Sequence, residues 1–291
     1  MILGAGLGTR LRPLTDHVPK ALMPLGDAPI LVSLANELRA AGLGPIVVNA
    51  HHHASVLDAF VKASLPFVQV STETDLLGTA GGVAHAKRLL GEGDVVIWNG
   101  DIVAPIDLRA LVAAHERERA KATLMVKLAP RGEGNVGVDT DGRIVRLRKE
   151  TTAPGEVSGG AFLGIHVLGP ELRDALPETG CLVGDVYLPA LRRGDVLRVH
   201  RFTGIFGDIG TPSAYWIACL AWLGDQGGRF YTGKNVQIAT EVEIVESIVG
   251  EGAIVEGTGE LHRVVVWPGA RAKAPLDNAV VTPAGVTKIR L

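Results

Sequence analysis

Met1-Ile2-Leu3 runs straight into Gly4-Ala5-Gly6-Leu7-Gly8-Thr9-Arg10, and this junction constrains the fold more than any other stretch of the 291 residues. An apolar strand that ends in small residues brings bare backbone to its tip. Loop N–H groups there can point at a ligand's oxygens with no side chain in the way. Arg10 and Arg12 follow at once, and Lys20 comes ten residues after Arg10, so cations accompany that backbone. The combination points to phosphate binding at the end of a first strand. It is not a Walker loop, because G-x-x-x-x-G-K-[ST] is absent from the sequence. Gly4-x-Gly6-x-Gly8 also lacks the third glycine of a dinucleotide fingerprint at the required offset.

Beyond the loop, apolar strands alternate with helical stretches. The pattern predicts a helix near Val32–Ala41, then strands at Pro45–Asn49 and Phe67–Val70. A helix at Val83–Leu90, a buried strand at Asp94–Trp98, a helix at Leu108–Arg119 and a strand at Ala122–Val126 follow. This β-α-β order predicts an α/β fold with a doubly wound, mostly parallel, Rossmann-like mixed sheet. Asn135–Arg148 predicts a hairpin around Asp141-Gly142, Ala161–Val167 a strand, Glu171–Ala175 a short helix and Ser213–Leu223 a closing helix. Gly224-Asp225-Gln226-Gly227-Gly228 reads as a linker, which sets a first domain at 1–224 and a second at 225–291.

The second segment has its own period. Val236, Val242, Ile248 and Ile254 recur every six residues, a spacing that neither a strand nor a helix explains. A six-residue period with an apolar anchor predicts a left-handed parallel β-helix with one hexapeptide on each flat side. About three coils fit, too few to stand alone, so the tail is expected to pack on the first domain or on another subunit.

Two aspartates follow glycines where strands end: Asp101 after Asn99-Gly100, and Asp208 within Gly207-Asp208-Ile209-Gly210-Thr211-Pro212. Carboxylates at the carboxyl ends of α/β strands can hold Mg²⁺ together with phosphate oxygens. Either Gly-Asp alone also reads as a turn. Gly78-Thr79-Ala80-Gly81-Gly82 is a second small-residue loop, with Thr79 a candidate helix cap. Asn49-Ala50-His51-His52-His53 ends the second strand; adjacent histidines do not converge on one metal ion, and the stretch reads as a pocket-lining loop. Arg146, Arg148 and Lys149 form a basic run ahead of Ser158-Gly159-Gly160-Ala161, readable as a phosphate site or as a solvated strand end.

The string G-A-G-L-G-T-R-L-R-P-L-T with Lys20 resembles the signature of the sugar-1-phosphate nucleotidyltransferases, and the resemblance extends over residues 1–223 with the motifs in order. It implies transfer of a nucleotidyl group from a nucleoside triphosphate to a sugar-1-phosphate by Mg²⁺-assisted in-line attack. Arg10, Lys20, Asp101 and Asp208 would be catalytic, with Asp101 and Asp208 holding the metal. The nucleotide would lie on Leu3, Gly4, Ala5, Gly6, Gly8, Thr9, Arg10, Lys20, Asn49, Glu73, Gly78, Thr79, Ala80, Gly81 and Gly100. The sugar phosphate would meet Lys149, Gly159, Gly160 and Asp185, the last also readable as a helix cap. The chain departs from the family pattern at Ala21, where proline is usual, and at Arg148-Lys149-Glu150, where Glu-Lys-Pro is usual. The family carries a few residues ahead of the first strand, which leaves open a start upstream of Met1. Types acting on N-acetylmuramate-1-phosphate with UTP, or on mannose-1-phosphate with GTP, look most similar.

Composition narrows the rest. A net charge of −2 carries no nucleic-acid footprint and no pull toward an anionic membrane. No apolar run reaches transmembrane length, and no signal peptide is apparent. Cys181 and Cys219 show neither metal nor pairing spacing, so free thiols in a reducing cytoplasm are expected. A non-catalytic regulatory or assembly subunit of the same fold is the alternative, but such chains tend to lose the loop cations or the metal aspartates. The tail is the candidate surface for homo-oligomerisation. Acyl transfer, which uses a histidine between long β-helices, finds only His262 in a short tail.

Overall fold

Strand Ile2–Leu3 lies inside the main sheet, within its parallel part, in the computed structural model, which describes residues 1–290. Its neighbours Ile46–Ala50 and Val95–Asn99 both run parallel to it, with Leu3 opposite Asn49 and Asn99. Val68–Thr72 extends the parallel set beyond Ile46–Ala50. Every residue of Ile46–Ala50 is buried, as expected of a strand covered on both faces. On the other flank the pairing turns antiparallel. Ser158–Leu168 pairs with Val95–Asn99, with Ala122–Ala129 and with Val136–Val138. A register shift between Phe162 and His166 lets this one long strand serve several partners. Leu197–Arg201 then runs parallel to Ala122–Ala129. The architecture is mixed α/β around a parallel-rich central sheet.

Local chemistry explains the elements. Helix Ile30–Ala40 buries Leu31, Leu34, Ala35 and Leu38, a stripe at helical spacing. Helix Leu108–Glu118 begins where the Asp107 carboxylate accepts from the Ala110 N–H at 2.9 Å. The hairpin of Val136–Val138 and Ile144–Leu147 turns on Asp139, whose carboxylate accepts from the N–H groups of Asp141 and Arg143 at 2.9 and 2.8 Å. Between sheet and helices lies an apolar core that includes Val47, Ile97, Leu124, Leu168, Tyr187 and Leu191.

The chain divides into two compact units, Met1–Gly6 with Leu34–Phe206, and Leu7–Ser33 with Gly207–Leu291. The second contains helix Pro212–Asp225, which starts on Thr211, whose hydroxyl oxygen accepts from the Ala214 N–H at 3.2 Å. That helix is pinned within its unit at three points. Tyr215 Oη donates to Pro24 O at 2.6 Å and accepts from Trp267 Nε1 at 2.9 Å, while Trp216 Nε1 donates to Arg263 O at 2.7 Å.

The C-terminal strands pair in parallel steps. Gln237 faces Ile254, and Ile254 faces Arg271; likewise Tyr231 faces Ile248, and Ile248 faces Val265. Each of these steps is 17 residues, whereas three hexapeptides would have set Val236 against Ile254; past a register shift between Gly257 and Leu261 the offset shortens to 15, as Leu261 faces Leu276. The six-residue spacing of the sequence thus slips by one residue in the 17-residue steps and by three past the shift. Arg271–Thr282 closes the stack with the antiparallel strand Gly285–Lys288. Among the described residues no helix is long and apolar enough to cross a membrane.

Candidate active site

The predicted site residues fall in both units and are taken unit by unit. In the first, the loop leaves the sheet at Gly4, whose N–H donates to Asn49 Oδ1 at 2.7 Å. Asn49 Nδ2 donates in turn to Glu73 Oε1 at 2.6 Å. The second Glu73 oxygen accepts from the Leu77 N–H at 3.3 Å, at the start of helix Gly78–His85. Asn49 and Glu73 are each 3% exposed, so both side chains are engaged inside the protein rather than presented at its surface. Gly82 packs against this pair: a Cβ there would sit 2.6 Å from Asn49 Nδ2 and 2.8 Å from Glu73 Oε1. Gly6 is the opposite case. It is exposed, its φ is not positive, and a Cβ would meet nothing within 4 Å. The packing and backbone of the fold therefore do not demand glycine at position 6.

Helix Gly78–His85 begins five residues earlier than its sequence pattern predicts, because a distant segment supplies its partners. Ala80 N donates to Gly180 O at 2.9 Å and Gly180 N to Leu77 O at 2.8 Å. Thr79 is not the cap; its hydroxyl oxygen accepts from the Leu182 N–H at 2.8 Å. Gly78 and Thr79 remain reachable from solvent, while Ala80 and Gly81 are buried.

Gly100 N donates to Leu3 O at 2.9 Å, so Gly100-Asp101 leaves the sheet beside the end of the first strand. Asp101 is half-buried there. The basic run separates into distinct roles. Arg146 binds Glu156 through two nitrogens, at 2.9 and 3.0 Å, and also reaches four backbone carbonyls. The Arg146 hydrogen bond holds the Glu156 carboxyl below the usual range. Arg148 Nη2 donates to Cys181 Sγ at 3.2 Å. Burial pushes the Cys181 thiol up, but the N–H groups of Gly184 and Val183, the Thr79 hydroxyl and Arg148 outweigh it and hold the thiol below its ordinary value. Lys149 is exposed. Gly159 and Gly160 are packed beneath the turn at residues 130–134, their N–H groups donating to Pro130 O and Glu133 O at 3.2 and 3.1 Å. Asp185 braces its own turn, accepting from Cys181 N at 2.7 Å. The Arg146–Glu156 clamp and the Thr79–Leu182 bond carry no signal in sequence spacing, since each partner lies in a different element.

In the second unit, Gly8 takes a left-handed conformation (φ +62°) and starts the tight turn Thr9–Leu11. Buried Thr15 fixes this turn, its hydroxyl donating to Gly8 O at 2.8 Å. Thr9 and Arg10 stay exposed. The Arg10 guanidinium and the Asp208 carboxylate flank Gly210, where a Cβ would lie 3.2 Å from each. The structure thereby brings two predicted residues 198 positions apart in sequence to one place. Lys20 opens the short helical turn Lys20–Leu22 and is half-buried.

A family model described as Nucleotidyl transferase matches residues 1–223. The chain is similar to the mannose-1-phosphate guanylyltransferase of Mycobacterium tuberculosis, 27% identical over 292 residues that cover 94% of this chain and 81% of the relative. It is also similar to the N-acetylmuramate alpha-1-phosphate uridylyltransferase of Caulobacter vibrioides, 34% identical over 193 residues, 61% of this chain and 78% of that one. In fold it resembles HddC from Yersinia pseudotuberculosis complexed with GMP-PN, with a TM-score of 0.63 and 22% identity over 76% of this chain and 97% of that one.

Proposed function

The chain belongs to the nucleotidyl transferase family, and we propose that it transfers a nucleotidyl group from a nucleoside triphosphate to a sugar-1-phosphate, releasing pyrophosphate. The observation that carries the reading is the buried run Gly4–Asn49–Glu73–Leu77, which ties the loop after the first strand to the start of the glycine-rich helix. A nucleotide laid along these two loops has its phosphates at the first and its base at the second.

The attacking group is a sugar-phosphate oxygen, already ionised at neutral pH because its second pKa is roughly 6. The chain then needs no base to take a proton. It needs to hold two anions in line and to offset their charge. Arg10 offers a planar fork to phosphate oxygens, and Lys20 a compact charge. Asp101 and Asp208 are hard oxygen donors, and no cluster of three or more His, Cys, Asp or Glu that could cage a metal occurs among the described residues. That donor set suits Mg²⁺, which keeps waters and substrate phosphates among its ligands. When bound, Mg²⁺ supplies charge neutralisation at the phosphates.

We assign the catalytic residues to 1–224 and read 225–291 as a short left-handed β-helix, supported by the parallel steps of the tail. The tail is also our candidate surface for homo-oligomers. The two free cysteines support a reducing, cytoplasmic setting. The test is pyrophosphate release with Mg²⁺ across nucleoside triphosphates and sugar-1-phosphates. The panel includes GTP with mannose-1-phosphate and UTP with N-acetylmuramate-1-phosphate. One productive pair is expected; silence across the panel from folded, nucleotide-binding protein would make the chain a non-catalytic relative.

A further inference from the structure

A cavity of about 520 Å³ opens within the second unit, lined only by that unit's residues. One wall is the segment after the Arg10 turn, with Leu14, Val18 and Leu22; the other is formed by the tail, with Tyr231 and Trp267. The volume is that of a small-molecule site. Its aromatic wall is held from behind. Trp222 meets the Tyr231 ring edge-on at 5.3 Å, and the Trp267 indole N–H is already donated to Tyr215 Oη at 2.9 Å. Trp267 therefore offers the cavity an apolar ring and no donor.

The charged lining chooses among ligands. Asp27 and Glu251 line the cavity with a single lysine, Lys234, and with His17. Burial raises the Tyr231 hydroxyl pKa, and Asp27 and Glu251 raise it further, so both carboxylates act on the same aromatic end of the site. A phosphate ester would bring two negative charges against two carboxylates and one lysine. The lining thus disfavours nucleotides and sugar phosphates and suits a flat apolar group that carries a cation.

We propose that this cavity binds a small aromatic amine, its ring between Leu22 and Trp267 and its ammonium toward Asp27 and Glu251. Lys20 belongs to the same short turn as Leu22, closed by Leu22 N on Pro19 O at 2.8 Å and Met23 N on Lys20 O at 3.1 Å. An occupant pressing on Leu22 presses on the turn that carries Lys20, and so alters the rate of nucleotidyl transfer. That last step rests on the reaction proposed above; binding does not.

The test titrates 2-phenylethylamine into the full chain without substrates, read by tryptophan fluorescence and calorimetry, with phenylacetate as the anion of similar shape. A saturable response with a Kd of about 1 mM is expected for so small a probe. Phenylacetate should bind at least about tenfold more weakly, and the double variant Asp27→Asn, Glu251→Gln should lose about tenfold for the amine. Ala284→Phe, at the exposed rim, should keep the melting temperature and weaken binding. No saturable response, equal binding of phenylacetate, or full binding by the double variant each overturns the site. Binding that leaves the rate of pyrophosphate release unchanged overturns the coupling to Lys20.

Discussion

Gly82→Ala tests whether the two loops are held as one unit. The new methyl would lie 2.6 Å from Asn49 Nδ2 and 2.8 Å from Glu73 Oε1, closer than real side chains pack. Both atoms are buried and bonded to each other at 2.6 Å, so neither can step aside without breaking that bond. Overpacking costs about 1–3 kcal/mol, and leaving a buried hydrogen-bonding group unsatisfied about 1–3 kcal/mol. Alanine returns about 1 kcal/mol of helix propensity at this helical position. The net is a loss of about 1–5 kcal/mol, or roughly 2–8 °C in Tm for a protein of this size. Gly6→Ala is the matched control. Its Cβ enters open space, so Tm should move by less than about 1 °C, since such surface changes stay within about 0.5 kcal/mol. Its nucleotide KM should nevertheless rise, because the methyl stands where phosphate is proposed to approach. Calorimetric melting and pyrophosphate release separate the two variants. A Gly82→Ala protein that melts like the parent with an unchanged nucleotide KM would refute the coupling of Asn49 and Glu73 to the loops. An unchanged KM in Gly6→Ala would refute close approach at that loop.

Lys20→Ala should slow turnover by roughly 10² with little change in Tm, the range for one lost electrostatic contact; equal rates remove Lys20 from the site. Asp101→Asn should lose most activity, and its remaining rate should respond less to added Mg²⁺ than the parent's. His166 is buried with both ring nitrogens unpartnered, and burial pushes its pKa down to about 3. The unfolded chain therefore takes up a proton below about pH 6.5 that the folded protein refuses, and stability falls with pH in that window. Between pH 7 and 5 this amounts to roughly 2 kcal/mol, which His166→Phe should abolish in urea unfolding at the two pH values. Glu156, held low by Arg146, contributes stability above the usual carboxylate range that is lost as pH falls through its lowered value. Glu156→Gln should lower stability at pH 7 and flatten that acid limb, and an unaltered pH profile would mean that the clamp contributes nothing.

Much of the parallel half of the sheet was legible in the sequence, because each strand and helix there declares itself through a short period of apolar residues. Ile2–Leu3, Ile46–Ala50, Val68–Thr72 and Val95–Asn99 lie within two residues of the boundaries their patterns predict. The glycine loop, the cations after it and the aspartates at strand ends were legible for the same reason, since backbone-exposing residues stand next to the strands they terminate. Tertiary structure decided what depends on partners distant in sequence. Helix Gly78–His85 forms over glycines with its start held by hydrogen bonds to Gly180 and Leu182. Arg146 is clamped to Glu156, and Asn49 and Glu73 are hydrogen-bonded to each other in the interior. The tail's steps of 17 residues, shortening to 15 past Gly257, emerge only once its strands stack. Local pattern states what a segment can form; which polar groups remain available for chemistry is settled only when the folded chain has paired the rest.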